Sequence, residues 1–139
     1  MTTAEHRSDT RAVIDAAAAV ALLIDPGAGG ERLADRLRGS DLHAPDHLPV
    51  EVANVLRRHR SRGLLSDAEA TLALGGLWQL GITLWPFEVL AGRTWELGGA
   101  ISAYDGAYVA LAEHLGAPLF TLDARLARSS GPRCRIETP

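Results

Sequence analysis

Lysine is absent from this 139-residue chain, in which all fourteen basic residues are arginines. The absence removes every mechanism that needs a catalytic or phosphate-binding lysine. It excludes the P-loop of nucleotide-binding proteins, whose lysine contacts the phosphates. It also argues against phosphoryl-accepting receiver domains and phosphatases with an aspartate nucleophile, because both normally need a lysine near their acids.

Cysteine and long hydrophobic runs are also scarce. The single Cys134 cannot form an internal disulfide, and no Cys/His cluster has the spacing of zinc ligands. The apolar run "AAAAVALLI" is too short to span a bilayer, and no signal-peptide pattern precedes it. These absences predict a protein that does not enter the membrane, and we expect it in the cytoplasm.

The composition is that of one globular domain. Hydrophobic residues make up 47% of the chain and charged residues 22%, with a net charge of -3. This balance favours a folded protein and argues against binding nucleic acid by bulk electrostatics. We expect residues 1–10, which are polar and aperiodic, to form a flexible extension, and residues 11–139 to form a single domain.

Predicted strands and helices alternate along the chain. Strands are predicted at 11–15, 41–45, 82–87, 118–123 and 133–138, and helices at 16–24, 31–39, 48–63, 66–81, 88–100 and 103–115, with a short helix or turn at 124–130. "GAGGER" is predicted to be a turn between two helices. The alternation predicts an α/β fold, in which helices cover both faces of a parallel sheet.

Four acids fall where such a fold binds ligands. Asp15 and Asp123 end predicted strands, whereas Glu51 and Asp105 lie in the first turns of helices. In parallel sheets these positions gather at the carboxyl edge of the strands. Each acid taken singly could instead stabilise a helix start, and Ser102 with Asp105 fits a capping box.

Taken together, the four acids favour a metal site. They would repel one another without a cation, and no lysine or histidine is placed in the sequence to neutralise them. Carboxylate oxygens without sulfur or imidazole suit Mg²⁺ or Mn²⁺. The same repulsion predicts that Asp123→Asn leaves the metal-free protein at least as stable as the parent.

The motifs resemble the PIN-domain ribonucleases, and most closely the VapC-type toxins of bacterial toxin–antitoxin pairs. The resemblance runs through "VIDAAAAVALL", "HAPDHLPVEVANVLRR" and "SAYDGAYVALAEHLGAPLFTLDARL". It implies a single PIN-like domain, a homodimer, a cognate VapB-like antitoxin and a Mg²⁺-dependent endoribonuclease site with Mn²⁺ as a substitute. The family's acidic quartet carries over as Asp15, Glu51, Asp105 and Asp123.

Two further residues match supporting positions of this family. Thr121 stands where relatives commonly have a Ser or Thr near the metal, and Asn54 where they have a polar helix residue. Either side chain could orient a carboxylate by a hydrogen bond. The chain departs from many relatives at Ala17, where they have a Ser, and this puts one supporting hydrogen bond in doubt.

Several alternatives remain open. The chain could be a non-catalytic PIN-like module for protein interaction, although the complete quartet argues against it. "RRHRSR" could contact RNA phosphates or an acidic partner, or could simply be a solvated helix end. His43 and His47 are disfavoured as metal ligands because Pro45 separates them. The three tryptophans are more typical of a core or an interface than of base stacking.

Overall fold

The computed structural model describes residues 10–24 and 28–139, so nearly all of the predicted extension at 1–10 lies outside the described residues. The strands are β1 (Arg11–Ile14), β2 (Asp41–Pro45), β3 (Thr83–Trp85), β4 (Leu119–Phe120) and β5 (Ile136–Glu137). The helices are α1 (Ala16–Ile24), α2 (Ala28–Leu37), α3 (Leu48–Ser61), α4 (Asp67–Gly76), α5 (Phe87–Leu97), α6 (Ala103–Leu115) and α7 (Ala124–Arg128). Short 3₁₀ turns follow α4 and α5, at Leu77–Leu80 and Gly98–Ala100.

The five strands form one parallel sheet in the order β3-β2-β1-β4-β5, which confirms the predicted α/β fold. Connections from β1 to β3 run toward one edge of the sheet, and those from β3 to β5 run back toward the other. Right-handed crossovers therefore place the two groups of helices on opposite faces. Ala12, Val13 and Ile14 are all buried, as expected for a central strand that is covered on both faces.

Two helical layers enclose the sheet. Helices α1 to α4 pack on one another, whereas α5 packs on α6, and α6 contacts β1, β2 and β4. Seven consecutive residues of α6 are buried. A Cβ at Gly106 would lie 3.2 Å from Thr94 Cγ2, so the glycine permits the close approach of α5 to α6. This packing fixes the first turn of α6, and with it Asp105, against the sheet.

Some predicted boundaries were wrong. Helix α2 begins at Ala28, so Gly29 and Gly30 are helical, although the sequence predicted a turn there. Glycine costs a helix conformational entropy, and the burial of apolar residues further along α2 offsets this cost. Leu33 and Leu37 are buried, as their spacing predicted. The predicted helix at 66–81 is α4 followed by a 3₁₀ turn, and β4 retains only two of the six residues predicted for its strand.

Among the residues that the structure describes, no helix is long and apolar enough to cross a membrane.

Candidate active site

The order of the sheet reverses between β1 and β4, and Asp15 and Thr121 meet at this point. The register pairs Ile14 with Phe120, so the residue that follows each of them lies at the carboxyl edge. The Thr121 hydroxyl donates to Asp15 Oδ2 at 2.5 Å, and the backbone N–H of Asp123 donates to the same hydroxyl oxygen at 2.9 Å. One fully buried hydroxyl therefore joins the ends of two strands.

The carboxylate of Asp15 is buried and hydrogen-bonded through both oxygens. The Ala18 N–H donates to Oδ1 at 2.9 Å, so Asp15 also caps α1. Burial, and to a smaller extent the negative charges of Asp105 and Glu51, raise the pKa of Asp15 to about 6 despite these hydrogen bonds. The resemblance led us to expect a Ser at the position of Ala17 to supply a supporting hydrogen bond. Both oxygens of Asp15 have hydrogen-bond partners without it.

Asp105 lies in the first turn of α6 and lines a cavity together with Asp123. The predicted capping box is half formed, because Ser102 Oγ accepts from the Asp105 N–H at 3.1 Å but Asp105 does not return the bond. Burial and the negative charges of Glu51 and Asp123 raise the pKa of Asp105. The cavity has a volume of about 270 Å³, and Arg125 forms part of its wall.

Asp123 is both the N-cap of α7 and the partner of an arginine. Its Oδ1 accepts from the Arg125 N–H at 2.9 Å and lies 3.4 Å from Arg125 Nε. The small desolvation of Asp123 opposes ionisation, but its hydrogen bonds and ion pair with Arg125 outweigh it and lower its pKa. The sequence-based expectation considered lysine and histidine and overlooked Arg125, which the start of α7 brings beside Asp123.

Glu51 is held from two sides. The Tyr108 hydroxyl donates to Glu51 Oε1 at 2.7 Å, and Nε2 of His47, the residue that precedes α3, lies 3.2 Å from the same oxygen. Burial opposes ionisation of Glu51, but the His47 imidazole and the Tyr108 hydroxyl outweigh it and lower the pKa of the carboxyl. A histidine therefore lies beside one of the four acids, a contact that the sequence analysis did not predict.

The remaining predicted residues lie apart from this contact network. His43 Nδ1 accepts from Trp85 Nε1 at 3.0 Å, so the two histidines of "HAPDH" do not act as a pair. Asn54 is exposed on α3, and its role in orienting a carboxylate stays a prediction. Three neighbours of the acids were missed: His47, Tyr108 and Arg125. His47 stands four residues before Glu51 and Tyr108 three residues after Asp105, spacings that place helical side chains on one face. Arg125 follows Asp123 by two residues and contacts it at the start of α7.

The structure thus places the four acids at the carboxyl edge of the sheet, but their side chains do not form a complete set of metal ligands. Asp15 interacts electrostatically with Asp105 and Glu51, and Asp105 interacts with Glu51 and Asp123. Within residues 10–24 and 28–139, no group of three or more His, Cys, Asp or Glu side chains is arranged to hold a metal ion. The chemistry of the donor set fits a hard cation, since the ionised forms of Asp15 and Asp105 are repelled by neighbouring carboxylates.

The raised pKa of Asp15 predicts a pH-dependent stability. The folded chain binds the Asp15 proton more tightly than the unfolded chain, whose pKa is near 3.8. The cost of ionised Asp15 is therefore absent below about pH 4, grows with pH and is complete above about pH 6. In EDTA at about pH 8 we expect Asp15→Asn to be more stable than the parent by about 1–2 kcal/mol, since altered hydrogen bonds offset part of the gain.

Urea unfolding of the two proteins across this pH range measures the difference. Asp41→Asn is the control, because Asp41 is an exposed acid at the amino end of β2, away from the acidic site. A stability gap between parent and Asp15→Asn that stayed constant from about pH 4 to pH 8 would contradict the prediction. We do not expect Asp123→Asn to gain stability in this way, because the ion pair with Arg125 and the helix cap favour the charged form of Asp123.

Solved structures of known proteins share the fold. FitAcB from Neisseria gonorrhoeae superposes with a TM-score of 0.67 at 19% identity, covering 92% of this chain and 97% of that chain. PAE2754 from Pyrobaculum aerophilum gives a TM-score of 0.65 at 21% identity, covering 92% of this chain and 83% of that chain. At these identities the likeness establishes the fold.

Sequence comparisons identify the family. Residues 12–131 match the PIN domain family. Ribonuclease VapC12 from Mycobacterium tuberculosis is 43% identical over 125 residues, covering 90% of this chain and 96% of the relative. VapC ribonuclease Mb0985 from Mycobacterium bovis is 38% identical over 124 residues, covering 89% and 94%. The chain therefore belongs to the PIN-domain family, and within it to the VapC-type ribonucleases.

Proposed function

We propose that this chain is a Mg²⁺-dependent endoribonuclease that cleaves RNA phosphodiester bonds as the toxin of a type II toxin–antitoxin system. The observation that carries the proposal is buried Asp15, held by Thr121 where the sheet order reverses and repelled by Asp105 and Glu51. Ligands of parallel α/β sheets bind at this point. The relatives VapC12 and Mb0985 are named ribonucleases, which supports RNA as the substrate class.

The donor set supports a metal held by Asp15, Glu51, Asp105 and Asp123. Bound Mg²⁺, or Mn²⁺ in its place, would activate a water and neutralise the developing charge on the phosphate. Since like charges repel, ion binding is expected to draw the carboxylates together. The chain itself supplies orientation: Thr121 fixes Asp15 relative to Asp123, and Tyr108 fixes Glu51. Asn54 is proposed to orient a carboxylate as well.

Removing a carboxylate should cost more activity than removing the residue that orients it. We expect Asp15→Asn and Asp105→Asn to lose nearly all Mg²⁺-dependent cleavage of RNA. Thr121→Val should lose roughly 10–100-fold, as is typical when only the orientation of a ligand is disturbed. Single-turnover cleavage with Mg²⁺ or Mn²⁺ measures the effect, and circular dichroism verifies that each variant is folded.

Asp41→Asn is again the matched control. It should cleave like the parent, because it removes one exposed acid at the amino ends of the strands, away from the candidate site. Full activity of folded Asp105→Asn would end the four-carboxylate proposal. A parent that binds partners but cleaves no RNA with either ion would instead favour the non-catalytic interaction module.

An exposed apolar groove supports an antitoxin partner. Leu23 and Ile24 of α1 and Leu72 and Ala73 of α4 line a cavity of about 280 Å³, and Leu72 is 76% exposed. Apolar surface of this kind marks sites that another protein covers. We propose that a VapB-like antitoxin covers this groove and reaches the acidic site with a basic side chain, most suitably an arginine. The proposal places both proteins in the cytoplasm with their RNA.

Expression of the chain alone should arrest growth, and co-expression of the product of a neighbouring gene should restore it. Leu72→Glu should remain toxic but escape neutralisation, because a charge in the groove opposes burial against the partner. Val89→Glu, an equivalent change on exposed α5, should still be neutralised. Growth curves report both effects. Unimpaired growth with abundant soluble parent protein would count against the toxin proposal.

A second apolar surface supports the homodimer. Trp78 is 65% exposed beside the edge strand β3, and with Pro49 and Leu84 it lines a shallow apolar pocket. Exposed tryptophans are enriched at protein interfaces. We expect the parent to sediment at twice its mass of 14.8 kDa, and Trp78→Glu to sediment as a monomer. Analytical ultracentrifugation measures this, and a monomeric parent at tens of micromolar would remove the dimer from the proposal.

A further inference from the structure

Three aromatic rings form a line from the core to the surface beside the acids. Tyr108 is buried, with 1% of its surface exposed, whereas Tyr104 is 62% exposed. The His47 ring lies between them, with its centroid 5.1 Å from Tyr108 and 5.6 Å from Tyr104. Both contacts are edge-to-face, at interplanar angles of 68° and 66°. The outer ring is thus supported through the middle ring by a residue of the core.

The same residues connect this aromatic line to the candidate active site. Tyr104 immediately precedes Asp105 in the first turn of α6, and the Tyr108 hydroxyl donates a hydrogen bond to Glu51. His47 lies against the Glu51 carboxylate. The exposed ring of Tyr104 therefore stands at the rim of the acidic edge, next to the place where a phosphate would be cleaved.

Tyr104 is a large aromatic residue in the exposed first turn of α6. The residues that follow Asp105 on α6, from Gly106 to Ala112, are all buried, so the helix has core positions available for an aromatic side chain. Edge-to-face contact restricts the ring from one side and leaves the rest of it open. A supported ring of this kind binds a planar partner at a lower entropic cost than a freely rotating side chain.

RNA binding at this site needs a source of affinity other than charge. The chain has a net charge of -3 and no lysine, and the site itself is acidic. Stacking of an unpaired base on an aromatic ring supplies affinity without a positive charge, and proteins use it widely to recognise single-stranded RNA. A base within a duplex is already stacked and cannot use the ring.

We propose that Tyr104 is a stacking platform for one unpaired base next to the scissile phosphate. The inference rests on the proposed ribonuclease function and names a residue that positions the RNA. Edge contact with His47 positions the ring, and the adjacent carboxylates face the backbone of the same nucleotide.

The test measures binding separately from cleavage. All variants carry Asp15→Asn, and the probe is a mixed-sequence RNA oligonucleotide that contains 2-aminopurine, whose fluorescence is quenched by stacking on an aromatic ring. Tyr104→Ala should weaken binding about tenfold or more and lose the quenching due to the protein. Tyr104→Phe keeps the ring and should retain both. Trp95→Ala removes an even more exposed ring on α5 and should leave binding unchanged.

A matched RNA duplex should bind the Tyr104→Ala protein as well as it binds the Tyr104 protein. Equal affinity and quenching for the Ala and Phe variants overturns the proposal, as does the absence of measurable binding to the single-stranded probe. Cleavage by the protein with Asp15 intact distinguishes the two hypotheses. If that protein cleaves RNA and Tyr104→Ala binds and cleaves like it, only the platform fails. If it cleaves nothing, the proposed function fails.

Discussion

The Thr121 hydroxyl is the contact on which the rest of the site depends. It donates to Asp15 and accepts from the backbone of Asp123, so it joins the ends of β1 and β4 where their connections run to opposite edges of the sheet. A parallel sheet leaves a crevice at such a point. Because the hydroxyl is fully buried, neither acid can reorient freely without leaving a polar atom unpaired.

The acids combine structural and electrostatic roles, and these roles differ between residues. Asp15 and Asp123 both cap helices, yet burial raises the pKa of one while an arginine lowers the pKa of the other. A carboxylate that caps a helix can therefore still be a candidate metal ligand. The site contains two acids with a raised pKa, Asp15 and Asp105, next to two with a lowered pKa, and shifted pKa values of this kind are common in functional sites.

The surface of the molecule has three chemically distinct features. An apolar groove lies between α1 and α4, exposed Trp78 stands beside the edge strand β3, and Tyr104 stands on the rim of the acids. Each kind of surface matches a different proposed contact: an antitoxin, a second copy of the chain and an RNA base. The aromatic line from Tyr108 through His47 connects the last of these to the carboxylate of Glu51.

The sequence by itself determined the alternation of strands and helices, the parallel sheet and the placement of the acids at its carboxyl edge, because these follow from local periodicity and from where each strand ends. It did not determine the start of α2, where glycines resemble a turn, since helix formation there depends on burying Leu33 and Leu37. Only the tertiary structure decided which acids are costly to ionise. The burial of Asp15, its hydrogen bond with Thr121 and the contact of Tyr108 with Glu51 arise when separate elements pack, and desolvation and distance set a pKa in ways that residue order cannot express.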